Sequence, residues 1–332
     1  MAKSYPNFSL IIPNFNGSNF LIDCLSSIII AIKQCPSSKF EIIIVDNGST
    51  DNSLSLIKTF FKKNKQQNLQ TTNYKLRSNM GFAFAVNYGI KHSRYNYVVL
   101  INNDLTIKSD WFKIISKSIF QNHNPKIASF FGTILNKTGE KYESQGLIFF
   151  PSGKCLNISN GKNFLPSAKP APAKLIWAGS GALVVYQKNI IQKIGYFDSD
   201  FFAYLEDVDI AFRLNKFGYQ TLYLPQAISY HLGGGTSHLM NNFRYRMDVR
   251  NWFYFITKNY STPEILANLF SIILERFRNL SCLIKKTINI YGIKSIYVLP
   301  RDITQIYSEV FKNFFKMRQK YFQIQKLLKS TK

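Results

Sequence analysis

An aspartate stands directly after a strongly apolar stretch in the first third of the chain. Residues 97–101 are Tyr, Val, Val, Leu and Ile, and Asn102, Asn103 and Asp104 follow them. Such a run predicts a strand that is buried on both faces of a parallel sheet. Ligands of open parallel sheets bind beyond the carboxyl ends of the strands, and a carboxylate suits a hard divalent cation. Asp104 is therefore either a cation ligand or the cap of the next helix.

A second aspartate ends another apolar stretch. Residues 41–45 are followed by the sequence Asp-Asn-Gly-Ser-Thr-Asp at positions 46–51. At the end of a buried strand, the carboxylate of Asp46 could accept hydrogen bonds from a nucleobase. Because Asp, Asn, Gly and Ser also favour turns, simple turn formation is the alternative interpretation.

Three carboxylates occupy the first turn of a predicted helix: Glu206, Asp207 and Asp209. Negative charge at a helix N-terminus is favourable, and Asp209 with Arg213 forms an i,i+4 pair, so the cluster can be purely structural. The aromatic residues at 201–204 favour a different interpretation. A carboxylate that is partly withdrawn from water among aromatic rings has a raised pKa, which suits a general base.

His231 stands at the predicted end of a strand. It precedes residues 233–236, Gly-Gly-Gly-Thr, which would let the backbone approach a phosphate closely. A lone histidine is most often structural. A metal ligand is the alternative, and the local sequence supports both.

The elements that must position these residues follow a repeating order. Strands are predicted at 8–12 (ended by Pro13), 41–45, 74–76 and 97–101. Strand, turn and helix repeat at intervals of about thirty residues, which predicts βαβ units and a parallel sheet. Because three of these strands end in polar residues, one polar crevice is expected. The absence of GxGxxG and GxxxxGK[ST] disfavours a dinucleotide-dependent dehydrogenase and a P-loop ATPase.

The pattern changes after about residue 120. Further strands are predicted at 127–135, 143–150, 175–185, 220–224 and 227–231. Residues 157–174 are rich in Ser, Pro, Asn, Ala and Lys and predict a mobile surface loop. From about residue 237 onward the chain is predicted to be helical, aromatic and basic.

Net charge and cysteine spacing limit the classes of protein to which this sequence could belong. The 332 residues include 42 Lys+Arg and 18 Asp+Glu, a formal charge of +24, which predicts acidic partners such as phosphates, nucleic acid or anionic membrane. The cysteines at 24, 35, 155 and 282 lack metal-ligand spacing and are typical of reduced thiols in a cytosolic protein. No signal peptide is predicted, and the apolar stretch at 265–274 is too short to span a bilayer.

Six segments taken together resemble the inverting glycosyltransferases of family 2, which have the GT-A fold. In chain order they are LIIPNFNG, IIIVDNGSTD, NMGFAFAVNYGI, VVLINNDL, WAGSGALVV, and GYFDSDFFAYLEDVDIAFRLNKFGY followed by HLGGGTS. The resemblance runs from about residue 9 to about residue 251. It is greatest to bacterial rhamnosyltransferase-like and galactofuranosyltransferase-like members, which share the EDxD helix and the later histidine. It implies an α/β fold with a Rossmann-like, mostly parallel central sheet flanked by helices.

The resemblance implies a nucleotide-sugar site at the strand ends. The residues that would form it are Pro13, Asn16, Asp46, Asn47, Ser49, Asn79, Gly81, Asn87, Asn102, Asn103 and Asp104. Among them Asp46 would bind a pyrimidine base, with Asn47 and Ser49 supporting the turn. Asp104 stands in the position of the family's DxD motif and would bind Mg²⁺ or Mn²⁺ at the diphosphate, with His231 completing the coordination.

The resemblance also implies a catalytic base and an acceptor side. Asp207 would take the proton of the acceptor hydroxyl, with Glu206 beside it and Asp209 structural. A pocket for the acceptor and donor sugar would be formed by Trp177, Gly179, Ser180 and Gly181. The implied reaction moves a sugar with inversion from a nucleotide-diphosphate sugar, dTDP-rhamnose or a UDP-sugar, to a glycan or lipid-linked glycan in cell-surface polysaccharide biosynthesis. Because Asn stands at two of the three positions of the metal motif, Asn102 and Asn103, a non-catalytic relative of the same fold that binds a nucleotide sugar or a glycan is the alternative.

The predicted domain organisation is a catalytic domain at 1–257 and a helical extension at 258–332. The catalytic domain would divide into a nucleotide half at about 1–106 and an acceptor half at about 107–257. The extension carries 14 Lys+Arg and 4 Asp+Glu, a net charge of +10. Its amphipathic helices would pack on the catalytic domain, form a homodimer, or rest on anionic lipid.

These features predict a cytoplasmic protein, and the lipid alternative would place it peripherally on the inner face of the cytoplasmic membrane. Nucleic acid is not an expected partner. The chain has no recognised nucleic-acid-binding module, and a crevice lined with carboxylates would repel a phosphate backbone.

Overall fold

The computed structural model describes residues 5–64, 69–165, 171–232 and 242–330. Its strands are β1 (Phe8–Asn14), β2 (Phe40–Asp46), β3 (Gln70–Lys75), β4 (Tyr97–Ile101), β5 (Leu105–Ile107), β6 (Ile127–Asn136), β7 (Tyr142–Ser144), β8 (Leu147–Phe149), β9 (Cys155–Asn157), β10 (Lys174–Ile176), β11 (Leu183–Gln187) and β12 (Gln220–His231). Its α-helices are α1 (Leu21–Lys33), α2 (Ser53–Lys63), α3 (Phe82–His92), α4 (Trp111–Gln121), α5 (Lys188–Lys193), α6 (Glu206–Lys216), α7 (Phe243–Asn259), α8 (Thr262–Ala267), α9 (Leu269–Tyr291) and α10 (Ser295–Lys329).

One ten-stranded sheet forms the centre of the fold. Its main path runs β10-β12-β6-β11-β4-β1-β2-β3, with β5 paired to β12 and β7 paired to β6. The strands β3, β2, β1 and β4 are parallel to one another, whereas β11 is antiparallel to both of its neighbours. Every residue of β1 and β2 is buried, as expected for strands covered by helices on both faces. The predicted mostly parallel α/β sheet is therefore confirmed.

The first strand is longer than predicted, because Pro13 does not end it. β1 continues to Asn14 and pairs with β2 along its whole length, with Pro13 opposite Val45. The pairing of β1 with β4 extends only as far as Ile11. The missing N–H of Pro13 therefore interrupts no hydrogen-bond ladder on that side.

Three other strand predictions were wrong in their division. The stretch 143–150 is not one strand, because β7 belongs to the large sheet whereas β8 pairs with β9 in a separate two-stranded sheet. The stretch 175–185 is not one strand, because residues 177–182 form a loop between β10 and β11 whose backbone bonds to other parts of the chain. The stretches 220–224 and 227–231 are one strand, β12, with an irregularity between Leu224 and Ile228. Of the predicted mobile loop at 157–174, residues 166–170 lie outside the described part of the chain.

The C-terminal helices pack on the rest of the protein through α7. The main hydrophobic core lies between the sheet and the helices beside it, and a second cluster joins Phe201 and Phe255 to Ile272 of α9 and Met317 of α10. The helix α7 runs across position 257/258, where the sequence placed the start of the extension. None of the helices in the described ranges has both the length and the apolar composition to cross a membrane.

Candidate active site

A cleft of about 460 Å³ lies beyond the carboxyl ends of β1, β2 and β4, facing the start of α6. The residues named from the sequence that line it are Pro13, Asn47, Asn79, Asn102, Asn103, Asp104, Ser180, Gly181, Glu206, Asp207 and His231. The others, which lie outside its lining, are Asn16, Asp46, Ser49, Gly81, Asn87, Trp177 and Gly179. The structure therefore brings the polar strand ends, the possible metal ligands Asp104 and His231, and the acidic start of α6 into one cleft.

A chain of amide and carboxylate groups ties the three strand ends together. Asn103 Nδ2 donates to Asn14 Oδ1 (2.8 Å), and Asn14 Nδ2 donates to Asp46 Oδ1 (2.9 Å). The other carboxylate oxygen of Asp46 accepts from the backbone N–H of Ser49 (3.2 Å). Asp46 is completely buried, so in this structure its side chain holds the turn and no atom of it faces the cleft. The sequence reasoning missed Asn14, although the strand register places it directly opposite Asp46.

A second amide network shapes the neighbouring wall of the cleft. Asn47 Nδ2 donates to Asn79 Oδ1 (2.9 Å), and that same oxygen accepts from the backbone N–H of Gly81 (2.9 Å). Gly81 has a φ of +91°, and a Cβ added there would lie 2.7 Å from the backbone oxygen of Phe202. Glycine is therefore required at this position, because the segment that leads into α6 passes directly against it.

Asn16 and Asn87 organise loops near the cleft. Asn16 receives a bond from the backbone N–H of Thr50 (2.8 Å) and donates its own backbone N–H to Ser49 Oγ (2.9 Å). Asn87, on α3, donates to the carbonyl of Phe197 (2.7 Å) and accepts from the backbone N–H of that residue (3.0 Å). These side chains hold the backbone in place and do not line the cleft.

Asp104 and His231 meet because β5 and β12 pair, with Leu105 opposite His231. His231 Nε2 lies 3.2 Å from Asp104 Oδ2, and His231 Nδ1 lies 2.5 Å from Glu143 Oε1. Burial works against a charged imidazole, but the hydrogen bonds to Asp104 and Glu143 raise the pKa of His231 to about 10. Glu143, which the sequence reasoning did not select, thus fixes the orientation of the ring.

The polar atoms around Asp104 are consistent with a bound cation. Asp104 Oδ1 and Asn102 Oδ1 are both buried and have no hydrogen-bond partner among the residues that the structure describes. The described part of the chain contains no group of three or more His, Cys, Asp and Glu side chains that could hold a metal alone. A cation would therefore take Asp104 and His231 as protein ligands and its remaining ligands from a bound molecule. The glycine-rich segment 233–236 lies outside the described residues.

Asp207 faces the cleft from the first turn of α6. Its Oδ2 accepts from the backbone N–H of Gly181 (2.9 Å), and its Oδ1 accepts from the backbone N–H of Val208 (2.8 Å). Burial raises the pKa of Asp207, although these backbone bonds oppose the shift. A Cβ at Gly181 would lie 2.7 Å from the Cβ of Asp207, so only glycine permits this contact. The carboxylate is held in one orientation and keeps an elevated proton affinity.

Glu206 lies beside Asp207 but in a different environment. It is buried, and its Oε2 has no hydrogen-bond partner in the described part of the chain. Burial and the neighbouring Asp207 raise its pKa well above the usual range. Asp248, which also lines the cleft, has its pKa raised to about 6 by burial, against the influence of Arg244. Several carboxyl groups thus share one poorly hydrated region, and burial raises the pKa of each of them: Glu206, Asp207 and Asp248.

Asp209 lies on the opposite side of the same helical turn. Its Oδ2 accepts from Arg213 Nη2 (2.7 Å) and Lys258 Nζ (2.8 Å), and its Oδ1 accepts from Asn259 Nδ2 (2.9 Å). Burial alone would raise its pKa, but Arg213 and Lys258 bring the pKa of Asp209 below the usual value. The predicted Asp209–Arg213 ion pair is confirmed.

The segment leading into α6 has a strained backbone. Three non-glycine residues in it have φ between +63° and +69°: Phe202, Tyr204 and Leu205. Asn251 of α7, which is fully buried, donates to three carbonyls of this segment, those of Phe201 (2.9 Å), Ala203 (2.8 Å) and Tyr204 (2.7 Å). Positive φ costs energy for such residues, and the bonds from Asn251 offset that cost. The conformation that presents Asp207 is therefore maintained from α7.

Trp177 and Gly179 anchor the loop that carries Gly181. The ring of Trp177 stacks on Phe149 at a centroid distance of 4.8 Å, outside the cleft lining. A Cβ at Gly179 would lie 2.3 Å from the ring of Phe131, so the loop is packed tightly against β6. These residues act on the cleft through the position of Gly181.

Part of the cleft wall comes from α7, which the sequence reasoning did not connect with the site. Phe243 and Arg244 line the cleft together with Phe202 and Tyr204. The guanidinium of Arg244 lies over the ring of Tyr204, 5.7 Å from its centroid. Local sequence carries no signal for this contact, because the two segments are about forty residues apart.

Comparison with known proteins identifies a family. Residues 9–194 match the family described as glycosyl transferase family 2, and residues 162–325 match glycosyl transferase family group 2. The poly-beta-1,6-N-acetyl-D-glucosamine synthase of Staphylococcus epidermidis is 29% identical over 227 residues, which is 68% of this chain and 49% of that protein. The chain thus spans about half the length of the curated relatives it matches.

Solved structures of low sequence identity share the fold. The mannosyltransferase PcManGT from Pyrobaculum calidifontis, in complex with GDP-Man and Mn²⁺, gives a TM-score of 0.55 at 14% identity and covers 96% of this chain and 86% of its own. TarS 1–349 of S. aureus, in complex with UDP-GlcNAc, gives 0.53 at 14% identity and covers 96% and 92%. These likenesses confirm the predicted GT-A fold.

Proposed function

The chain belongs to glycosyl transferase family 2, and we propose that it transfers a sugar from a nucleoside-diphosphate donor to an acceptor hydroxyl with inversion. One observation carries the proposal. A backbone-oriented carboxylate with a raised pKa, Asp207, faces the same cleft as the Asp104–His231 pair and the polar strand ends. This is the combination of base, cation ligands and nucleotide site that such a transfer requires.

The donor would lie along the strand ends of the proposed nucleotide half, residues 1–106. The amide networks of Asn14, Asn47 and Asn79 give this wall neutral hydrogen-bonding groups of fixed orientation, which suits a nucleoside. We propose a UDP-sugar or dTDP-rhamnose as donor. The complex of TarS with UDP-GlcNAc supports the first of these.

A divalent cation, Mg²⁺ or Mn²⁺, would be held by Asp104 Oδ1 and His231 Nε2, and because the hydrogen bonds to Asp104 and Glu143 raise the pKa of His231, the cation would have to displace the Nε2 proton. When bound, it supplies neutralisation of the negative charge on the diphosphate leaving group. Because Asn102 and Asn103 are neutral, Asp104 is the only carboxylate that this strand end supplies. Cation affinity should therefore depend on the diphosphate, and we expect weak cation binding in the absence of donor.

Asp207 would act as the general base. It accepts the proton of the acceptor hydroxyl while that oxygen attacks the anomeric carbon on the face opposite the diphosphate. The bond from Gly181 keeps the carboxylate in position, and its raised pKa strengthens it as a base. Burial and the neighbouring Asp207 raise the pKa of Glu206, which disfavours a second negative charge beside the base. A single displacement of this kind inverts the anomeric centre.

For the acceptor we propose a hydroxyl of a glycan or lipid-linked glycan, in the biosynthesis of cell-surface polysaccharide. The polysaccharide synthases among the relatives support this class. The alternative, a non-catalytic sugar-binding protein of the same fold, gives no role to the oriented carboxylate of Asp207.

A thermal-shift panel tests the donor site. A nucleotide that binds the folded state stabilises it and raises the melting temperature. In the presence of Mn²⁺, we expect UDP or dTDP to raise the melting temperature more than GDP or CDP. Asp104→Asn should remove the Mn²⁺-dependent part of the shift. Asp23→Asn, an exposed carboxylate of α1, is the matched control and should retain it. Absence of a Mn²⁺-dependent shift with all four diphosphates would contradict the assignment.

A further inference from the structure

The last helices expose large apolar side chains although α7 already covers one face of α9 and one face of α10. On α8 and α9 the exposed ones include Leu266, Leu269, Phe270, Ile273, Leu274 and Phe277. On α10 and just before it they include Ile293, Ile296, Tyr297, Tyr307, Phe311, Phe314, Phe315 and Phe322. We infer that these outer faces dock on the surface of an anionic lipid bilayer.

The helix α9 has two separate apolar faces. Ile272 and Leu283 are buried in the clusters that join α9 to α7 and α10. Phe270 and Phe277, by contrast, are 81% and 65% exposed. At about 100° per residue, the exposed set is centred roughly 130° around the helix from the buried set. The second face is therefore not needed for packing against the described protein.

The helix α10 repeats this arrangement. Its inner face buries Ile306, Met317 and Ile324, whereas Phe311 and Phe315 are 80% and 75% exposed. Monomeric soluble proteins rarely leave such a series of large apolar side chains in contact with water. Both α9 and α10 therefore bury one apolar face against the protein and expose another. This arrangement indicates that the exposed faces form a surface for a second contact.

The charges beside these faces favour an anionic occupant. The exposed basic residues of this region are Arg278, Lys285, Lys286, Lys294, Arg301, Lys312, Lys316, Lys326 and Lys329. Over residues 261–330 the exposed carboxylate is Glu264, which is engaged in the capping box of α8. Apolar and aromatic side chains bordered by Lys and Arg match the interfacial region of a bilayer that contains acidic lipid.

The same charges argue against a second copy of the chain as the occupant. In a two-fold contact both partners would present the same surface with its basic border, and like charges in an interface are repulsive. None of the described helices has an apolar stretch long enough to span a bilayer, so insertion across the membrane is not implied. The geometry points to binding parallel to the membrane surface.

The proposed docking surface is rigidly connected to the cleft. Lys320 of α10 contacts Asp198 (2.5 Å) and Asp200 (2.6 Å), in the segment that leads to α6. Arg250 of α7 pairs with Glu309 of α10 (2.8 Å). Binding of α10 to a bilayer would therefore hold the cleft at a defined distance from the lipid surface. The inference concerns a surface outside the cleft and does not depend on the proposed reaction.

Vesicle flotation of the full chain tests the inference. We expect the protein to float with phosphatidylcholine vesicles that contain phosphatidylglycerol, less with phosphatidylcholine alone, and less at high salt because screening weakens the charge contribution. Two variants, Phe270→Glu/Leu274→Glu and Phe311→Glu/Phe315→Glu, should each lower the bound fraction at least about tenfold. Replacing Lys285 and Lys286 by Gln should weaken only the binding that depends on phosphatidylglycerol.

The matched control is Ile30→Glu/Leu165→Glu, which places two charges at apolar residues that are 54% and 79% exposed elsewhere on the protein. It should float like the unmodified chain. Failure of the unmodified chain to float, or equal loss in the control, overturns the inference. Light scattering gives a further outcome that overturns the inference: an oligomer of the unmodified chain that dissociates in the two Phe and Leu variants while their flotation is unchanged. The exposed faces would then contact another copy of the chain. Circular dichroism of each variant separates these outcomes from misfolding.

Discussion

The two sides of the first turn of α6 carry similar side chains in opposite electrostatic states. On the cleft side, Asp207 is bonded by backbone N–H groups alone, and burial raises its pKa. On the other side, Asp209 is surrounded by Arg213, Lys258 and Asn259, and its pKa is lowered despite burial. Two aspartates separated by one residue therefore differ in proton affinity because of what faces them.

The difference shows that the helix start does not determine which carboxylate can act as a base. Both residues experience the same helix dipole. Gly181 brings only a neutral N–H to Asp207, whereas α7 brings a buried ammonium group to Asp209. The cleft side stays available for proton transfer, and the other side attaches the helix to the protein.

The strongest test of the comparison is Asp207→Asn. Asparagine keeps the volume and can still accept the Gly181 N–H, but it cannot take a proton, so we expect the transfer rate to fall by about 100-fold to 10,000-fold. Donor binding, measured as the UDP-induced thermal shift with Mn²⁺, should change little. Asp23→Asn is the control. A rate within threefold of the unmodified enzyme, on the order of experimental scatter, would show that another group is the base.

Asp209→Asn should act on stability where Asp207→Asn acts on rate. Removing one member of a buried ion cluster leaves Arg213 and Lys258 uncompensated, which costs about 3–5 kcal/mol. Denaturant unfolding measures this loss, and Asp207→Asn is the matched control because it removes no ion pair. Adding Lys258→Met to Asp209→Asn should recover part of the loss. Equal stability of the two single variants would remove the distinction between the two sides.

Asn251→Ala tests whether α7 holds Asp207 in position through its hydrogen bonds to the backbone of the segment that leads into α6. Three carbonyls lose their donor, which costs about 1–3 kcal/mol and lets the segment at 202–205 leave its positive φ values. We expect kcat to fall about tenfold with little change in the KM for donor, because the strand ends are untouched. The control is Asn313→Ala on α10, which removes an amide bonded to Glu309 and Tyr254 outside the cleft. The same loss in both variants would contradict a positioning role.

The smallest effect is a pH dependence of stability at Glu206. Its folded-state pKa lies above the unfolded value, so between these values the folded protein holds a proton that the unfolded chain releases. Stability then falls as pH rises through this interval. Glu206→Gln removes the titration, and the variant should gain about 1–3 kcal/mol relative to the unmodified protein at the high-pH end only. Melting temperatures of both proteins from about pH 5 to about pH 8 check this.

Asp209 should have the opposite sign, and its effect should appear at lower pH. Its lowered pKa contributes stability that is fully present above the unfolded value of 3.8 and is lost as pH falls below that value through the folded-state pKa, so melting temperatures below pH 3.8 are needed to see it. A melting-temperature difference for Glu206→Gln that does not change with pH would show that its carboxyl group does not titrate as described.

Local patterns were sufficient to predict the parts of the site that follow apolar runs. Asn47 comes directly after β2, and Asp104 comes three positions after the end of β4; these strands are recognisable from four and five consecutive apolar residues. The acidic start of α6 was recognisable from its composition. In each case a single short segment contains both the element and the functional side chain.

The remaining features depend on contacts between distant segments. Asn251 acts on carbonyls 47 to 50 residues earlier, and Glu143 meets His231 across 88 residues. No local pattern distinguishes Asn251 from another polar residue in an amphipathic helix. The loop at 177–182 was mistaken for strand because its bonds to Asn102 and Asn215 are made in tertiary structure.

The late position of Lys258 and Lys320 in the chain has a consequence for the order of folding. Lys258 reaches Asp209 across 49 residues, and Lys320 reaches Asp198 across 122 residues. During synthesis the sheet and its strand ends can form before these lysines leave the ribosome, since domains fold from the N-terminal side. Until those lysines are present, Arg213 of the same helix would be the basic partner of Asp209, and Asp198 would lack the contacts that it makes with Lys258 and Lys320. We therefore expect a chain that ends before residue 258 to bind a nucleotide at its strand ends while the turn that carries Asp207 is not yet held in its final position.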